Sequence, residues 1–203
     1  MPQVACPSCQ TALERTPQRR TRCTRCGQPI LVRRGHVLTE DDAPAIDVCS
    51  KLTVPLQRLW HARDDLSREW GRQASASDGA WRVLNELVTE APEYHTRKMI
   101  YFQMARFLWE EGRDHLEIAR LSRQMQLADW KKSADDGWLD LRRARVEVIT
   151  AREASCPACR ALDGAQFTYE VAAKQNPIPV AECTHQVGGH ACGWCRCEYG
   201  LRP

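Results

Sequence analysis

Eleven cysteines, and above all their spacing, constrain this chain more than any other feature. Ten of them fall in two groups, Cys6 to Cys26 and Cys156 to Cys197, and only Cys49 lies outside. An odd number of cysteines cannot pair completely within one chain, and reducing compartments keep thiols free. Pairs with two intervening residues are typical of thiolate ligands to a metal ion. The sequence therefore predicts metal binding rather than a disulfide framework.

Length and hydropathy place the chain among soluble proteins. Its 203 residues, 43% of them hydrophobic, suffice for one ordinary core with small appended modules. The opening MPQVACPSCQ lacks the basic-then-apolar pattern of a signal peptide, and no apolar run approaches the roughly 18 residues that span a membrane. We expect a cytoplasmic protein without membrane contact.

The basic charge is concentrated at the N-terminus. Residues 1–36 carry seven arginines and one acid, a net charge of +6, whereas residues 37–50 carry four acids and no base. We therefore predict a basic N-terminal module over residues 1–36, followed by an acidic linker over residues 37–50.

The first cysteine group has the spacing of a structural zinc site. The sequences CPSC and CTRC place two C-x2-C turns thirteen residues apart, which is room for a short β-hairpin between them. Four thiolates complete a closed tetrahedral shell and leave no open position for catalysis. The module resembles a zinc ribbon, and the predicted ligands are Cys6, Cys9, Cys23 and Cys26.

The arginines of this module indicate a candidate phosphate-binding surface. Guanidinium groups match phosphate geometry, and clustered cations release counterions on binding nucleic acid. No aromatic residue is interleaved with them, which argues against base stacking on single strands. A protein partner, or a solvated basic loop, is the alternative interpretation. The candidate nucleic-acid contacts are Arg15, Arg19, Arg20, Arg22, Arg25, Arg33 and Arg34.

Residues 51–150 predict a helical domain. Apolar residues at helical spacing indicate helices over 54–72, 77–92, 95–112, 113–130 and 133–150. The end of the last segment, Val146 to Thr150, is β-branched and equally compatible with a strand. Residues around YFQMARFLWEEGRDHLEIARL resemble one tetratricopeptide-type helical hairpin, which implies a packing core and a protein partner.

The last segment, 151–203, predicts a second zinc-binding module. A third C-x2-C turn precedes a cluster of further cysteines and histidines, including His190 and Cys192. We expect Cys156 and Cys159 to bind zinc with two of four further ligands. If the backbone of the C-x-C pair is extended, Arg196 faces away from the metal. The four further candidates are Cys183, His185, Cys195 and Cys197.

This segment resembles the C-terminal tail of phage head-morphogenesis proteins, the Mu F-like minor capsid family. The matching features are CPACRALDG, the aromatic Phe167, a Pro-containing stretch with a histidine, and the terminal CRC. The resemblance covers about 45 residues and implies a shared metal-binding module, or a structural role in head assembly.

Two sharper chemical interpretations stay open for the same residues. CPAC has the spacing of a redox dithiol, although no βαβ pattern precedes it. An open zinc position near His185 or His190, with Glu182 as a base, would support hydrolysis of nucleic acid.

Together these patterns predict a mainly α protein, with a helical middle domain between two small zinc modules that contain short β-hairpins. We expect two zinc ions, and the surplus of ligands leaves room for a third. The predicted function is non-enzymatic: recognition or assembly, with nucleic acid at the N-terminal module and a protein partner along the helices. The alternatives are a head-assembly factor and a zinc-dependent hydrolase.

Overall fold

A computed structural model describes residues 4–33, 36–187, 190–191 and 193–202. The chain divides into two compact units, Met1–Val83 and Leu84–Pro203, and the boundary falls within one helix, α3 (Ala76–Glu90). The predicted domain boundaries at residues 36, 50 and 150 are not tested by this division and stay predictions.

The first unit begins with a three-stranded antiparallel sheet. Its strands are β1 (Thr21–Arg22), β2 (Pro29–Arg33) and β3 (His36–Leu38), in that order. The small core beneath consists of buried Cys6, Cys23 and Ile30, with Leu13 and Val37 packed against it. Two of its three buried members are thiols, and the same sheet also buries Leu31 and Leu38.

Three helices follow this sheet along the chain, and the boundary of the first unit falls within the third. They are α1 (Ala43–Lys51), α2 (Leu56–Trp70) and α3. The α1 segment was predicted as part of an acidic linker, but it buries its apolar side, including Ile46 and Val48. Ahead of α3, Ser75 and Asp78 form a capping box: the Asp78 carboxylate accepts from the Ser75 N–H at 2.9 Å, and the Ser75 hydroxyl accepts from the Asp78 N–H at 3.1 Å.

The second unit contains a helical hairpin. Helices α4 (Tyr94–Glu110) and α5 (Leu116–Asp135) pack against one another, joined by the turn at residues 111–115. Buried Met104, Phe107 and Leu108 line the packed side of α4. The prediction of helices over 95–112 and 113–130 is therefore confirmed, and the likeness of this hairpin to tetratricopeptide repeats stays a prediction.

A second three-stranded sheet has the order β5-β4-β8, with β4 (Arg145–Ile149) in the centre, β5 (Gln166–Phe167) on one side and β8 (Glu198–Arg202) on the other. Both pairings are antiparallel. Between these strands lie short helices α6 (Pro157–Arg160) and α7 (Tyr169–Gln175), and the hairpin of β6 (Gln186–Val187) with β7 (His190–Ala191).

Buried hydrogen bonds attach this sheet to α5. Gln126 donates its side-chain N–H to the backbone oxygen of Tyr199 at 2.8 Å. The Tyr199 hydroxyl donates to Asn176 at 3.0 Å, and the Asn176 amide donates to the backbone oxygen of Arg120 at 3.1 Å. The C-terminal cysteines therefore sit in one unit with the helical hairpin.

The predicted fifth helix over residues 133–150 is wrong, because only residues 133–135 of that range are helical and they belong to α5. α5 continues to Asp135, Gly137 then adopts the left-handed region with φ +81°, and the chain enters β4. A left-handed residue ends a helix, and glycine takes that conformation without steric cost. The strand considered for Val146 to Thr150 is confirmed as β4. None of the described helices is both long and apolar enough to cross a membrane.

We predict that Gly79→Ala destabilises the first unit. A methyl group at this position would lie 2.9 Å from both the Leu59 backbone oxygen and the Arg63 Cβ, so α2 and α3 would have to separate. The expected cost is about 1–3 kcal/mol, which outweighs the gain in helix propensity. Denaturant unfolding followed by circular dichroism measures it. The exposed α2 substitution Gln57→Ala should change stability by less than about 0.5 kcal/mol, and an unchanged midpoint for Gly79→Ala would refute the prediction.

Candidate metal centres

The four N-terminal cysteines meet at one point. Their sulfur atoms all lie within 4.8 Å of one another. Sγ of Cys6 is 3.9 Å from Sγ of Cys26, and Sγ of Cys9 is 3.8 Å from Sγ of Cys23. Metal–sulfur bonds of about 2.3 Å in a tetrahedron place the sulfurs about 3.8 Å apart. The quartet therefore has the dimensions of a closed four-thiolate metal site, and its sulfurs are far beyond disulfide bonding distance.

The two C-x2-C turns have the same backbone structure. The Cys6 carbonyl accepts a hydrogen bond from the Gln10 N–H, and the Cys23 carbonyl accepts one from the Gly27 N–H, both at 2.9 Å. Gln10 and Gly27 occupy equivalent positions, and both have left-handed backbone angles, with φ of +58° and +71°. The local sequence of each turn thus builds half of the site, and β1 and β2 extend the second turn.

Hydrogen bonds inside these turns favour the thiolate form that binds metals. The Thr11 hydroxyl lies 3.4 Å from Sγ of Cys9, and hydrogen bonds from the Thr11 side chain and backbone lower the pKa of Cys9 to about 6. Backbone N–H groups of Cys26 and Arg25 lower the pKa of Cys23 as well. At Cys26 a backbone hydrogen bond with Gln28 lowers the pKa, but burial and hydrogen bonds with the other three thiols outweigh it and raise that pKa to about 12. The quartet thus offers the Cys9 thiolate to a metal at neutral pH, and the Cys26 thiol has to lose its proton when a metal binds.

At the other end, the fold brings together five cysteines from three segments. Cys156 precedes α6 and Cys159 lies within it, Cys183 follows α7, and Cys195 and Cys197 precede β8. The antiparallel pairing of Ile149 with Glu198 carries the third segment to the first. We call these five residues the C-terminal thiol cluster. Four of them are buried and Cys183 is half-buried.

Sulfur atoms in this cluster are spaced for metal binding. Sγ of Cys183 lies 3.6 Å from Sγ of Cys156 and 3.5 Å from Sγ of Cys159. Nδ1 of His185 lies 3.3 Å from Sγ of Cys183. Burial raises the pKa of Cys156, but backbone hydrogen bonds at Cys159 and Thr184 outweigh it and bring that pKa to about 7.

The C-x-C pair presents both thiols to the interior. Cys195 and Cys197 are buried whereas Arg196 between them is exposed, as expected for an extended backbone. The preceding Trp194 anchors this segment on α4, with its ring 5.8 Å from the Phe102 ring in an edge-on arrangement and 5.0 Å from the Arg106 guanidinium.

Two buried residues beside the cluster were not predicted from the sequence. His115, at the start of α5, is only 4% exposed, and its ring centroid lies 4.5 Å from that of His185. Its Nε2 has no hydrogen-bond partner among the described residues. Arg123, on α5, is fully buried, and the negative charges of Cys195, Glu198 and Cys197 act on it. Neither residue belongs to a recognisable motif, because both come from a helix that is distant in sequence from the C-terminal cysteines.

One further cysteine of the described residues, Cys49, lies outside both centres. Cys49 is buried in α1, and burial raises its pKa to about 11, so this thiol is unreactive at neutral pH. Cys192 lies outside the described residues, and so does the side chain of His190. Glu182, considered as a catalytic base, is exposed in a turn.

The structure describes six of the seven arginines that were predicted to contact nucleic acid. Arg15, Arg19, Arg20, Arg22, Arg25 and Arg33 are all exposed, and Arg34 lies outside the described residues. Arg20 pairs with Glu40, and Arg33 lies 3.7 Å from Asp47. Acidic residues of the segment predicted as a linker thus neutralise part of the basic module.

Comparisons with protein families, curated proteins and solved structures find no match to this chain. The resemblances to a zinc ribbon and to the phage head-morphogenesis tail therefore stay predictions that rest on the quoted motifs.

We predict that Thr11→Val weakens metal binding by the N-terminal quartet about 10- to 100-fold, the usual effect of removing a hydrogen bond to a metal ligand. Without the Thr11 hydroxyl the pKa of Cys9 rises, so protons compete better with the metal at pH 7. Competition with a metal-binding chromophore measures the affinity. Thr11→Ser keeps the hydroxyl and serves as the matched control; equal affinities for the two variants would contradict this role of Thr11.

Proposed function

We propose that this chain is a zinc-binding recognition protein without catalytic activity, and that its N-terminal module binds nucleic acid through the phosphate backbone. Zinc is supported by the ligand chemistry of the quartet: four thiolates at tetrahedral spacing, buried or half-buried, without an open position. Such an ion holds a fold together, and the surface around it performs the function.

Nucleic acid is supported by the exposed arginines of the N-terminal module. Arg15 and Arg19 lie on the segment between the two C-x2-C turns and make no hydrogen bond or ion pair with any residue that the structure describes. A guanidinium group without an acidic partner is available to a phosphate oxygen. The single observation that carries the proposal is this pair of uncommitted cations on a segment fixed at both ends by metal ligands.

A protein partner is proposed for the second unit. Trp138, just after α5, is 86% exposed, the largest exposure among the large hydrophobic side chains that the structure describes. Tryptophan supplies much of the binding energy at protein interfaces. Assembly of a nucleic acid with a protein partner would use both units of the chain.

The test of the nucleic-acid proposal is the salt dependence of binding to a duplex DNA of unrelated sequence, measured by fluorescence anisotropy. Each phosphate contact contributes about 0.9 to the slope of log affinity against log salt. We predict that Arg15→Gln/Arg19→Gln lowers that slope by about 2 and weakens binding at every salt concentration.

The matched control is Arg142→Gln/Arg143→Gln, which removes the same charge from two highly exposed arginines of the second unit. This control should bind like the unchanged chain. Equal weakening by both double variants would mean that net charge alone causes the effect. An unchanged slope in the first variant would refute the proposed contact. A chain that binds no nucleic acid at low salt would refute the proposal altogether.

A further inference from the structure

Arg123 is a cation in the interior of the second unit. Its side chain is fully buried, and among the residues that the structure describes it is the only buried lysine or arginine. The guanidinium donates one hydrogen bond, from Nη1 to the Ser122 hydroxyl at 3.3 Å. Its Nε and Nη2 have no hydrogen-bond partner in the described part of the chain. Burial of an unpaired charge is strongly unfavourable, so we expect an anion nearby that offsets this one.

The face of α5 that carries Arg123 packs on the start of β8. Gln126, three residues further along α5, donates its side-chain amide to the backbone oxygen of Tyr199 at 2.8 Å. Residues three apart on a helix lie on the same face, so Arg123 and Gln126 face the same part of the C-terminal segment. The stretch just before Tyr199 contains Cys195 and Cys197, which are both buried.

A second series of contacts reaches the same stretch from α4. The Arg123 guanidinium lies 6.0 Å from the centroid of the Phe102 ring. That ring lies 5.8 Å from the ring of Trp194, and Trp194 directly precedes Cys195 in the sequence. Contacts on both sides of the C-x-C pair therefore place the guanidinium beside it.

Cysteine thiols contribute to the negative charge that acts on Arg123. Burial lowers the pKa of its guanidinium, and the charges of Cys195, Glu198 and Cys197 oppose this effect. The Glu198 side chain is 44% exposed and lies 3.9 Å from Lys98, so this carboxylate has its own cation. Arg123 makes no hydrogen bond to a sulfur atom that the structure describes. Its attraction to the thiols acts instead through an interior of low dielectric constant.

A metal ion in the C-terminal thiol cluster forms an anionic centre with any of the candidate ligand sets. A divalent ion on three thiolates and one neutral imidazole has a net charge of −1, because +2 and −3 sum to −1, and on four thiolates the net charge is −2. Four of the five thiols in this cluster are buried, so water screens that charge little. Two of the four cysteines in the N-terminal quartet are half-buried and the described arginines around them are exposed, so solvent and surface cations offset the charge there.

We propose that Arg123 is the counter-cation of the C-terminal metal centre. Its fixed positive charge offsets the net negative charge of the thiolate-bound ion and so raises the affinity of the cluster for a divalent metal. Arginine suits this role because the guanidinium stays charged in folded proteins. The inference rests on the metal-binding part of the proposed function and adds the residue that balances its charge.

The zinc affinity of the full, reduced chain tests this role. The background variant is Cys6→Ser/Cys9→Ser, which disables the N-terminal quartet, so bound zinc reports on the C-terminal centre. Competition with a metal-binding chromophore measures the affinity. Arg123→Met removes the charge and keeps a long side chain, and we expect it to weaken zinc binding about 10- to 100-fold, the usual effect of losing a group that supports a metal site from outside its ligands. Arg123→Lys keeps the charge and should weaken binding less than Arg123→Met.

Controls separate a charge effect from a packing effect. Ser122→Ala removes the hydrogen-bond partner of the guanidinium but no charge, and should leave the zinc affinity unchanged. Arg123→Gln is a second neutral replacement, so charged and neutral side chains are compared even where circular dichroism shows that Arg123→Met does not fold. A merely structural arginine would make the metal-free variants less stable in urea and leave their zinc affinity unchanged.

Two outcomes contradict different parts of the account. Equal zinc affinity in the background variant and in the neutral replacements of Arg123 would overturn the counter-cation alone, as would an Arg123→Lys variant that binds zinc no better than they do. Absence of zinc binding in the background variant, before any change at Arg123, would instead refute metal binding by the C-terminal module and that part of the proposed function.

Discussion

Convergence of cysteine thiols is the constraint on which both candidate metal centres depend. Beside the N-terminal thiols, the cluster of described buried residues has one apolar side chain, Ile30, with Leu13 and Val37 packed against it, and Leu31 and Leu38 are buried on the same sheet. So little apolar surface cannot offset the conformational entropy of ordering some thirty residues, and modules of this size usually need a metal or disulfides. Metal binding by the quartet would therefore be folding energy for this module. The exposed arginines depend on it, since only a folded loop holds them in a fixed arrangement.

In the second unit, apolar packing and hydrogen bonds surround the cysteines. Its cysteines lie among buried apolar residues, including Val146, Val148 and Ile178, and buried hydrogen bonds attach β8 and α7 to α5. Loss of metal there would leave buried thiols and Arg123 in an unbalanced interior rather than unfold the helical hairpin. Under the proposed metal binding, metal would have a folding role in the first module and a role in local order in the second.

Sequence patterns predicted the helices and the metal-ligand turns that neighbouring residues form. They missed contacts between segments that are distant in the sequence. The N-terminal quartet was predictable because each C-x2-C turn builds half of the site from adjacent residues. α2 to α5 followed from helical spacing of apolar residues. α1 was missed because its acidic neighbours masked the buried stripe at Ile46 and Val48, and the fifth helix was placed wrongly because Gly137 ends α5. His115 and Arg123 could not be found, since only tertiary packing brings α5 to the cysteines.

The most direct test of this account is hydrogen exchange of the full, reduced chain with and without a strong zinc chelator. The amide groups of Gln10 and Gly27, which donate to the cysteine carbonyls in the two N-terminal turns, report on the first module. The account predicts that chelation removes their protection while amide groups within α4 and α5 keep theirs. Persistent protection in both turns after the metal is shown to be gone would contradict the claim that metal ligation holds this module together.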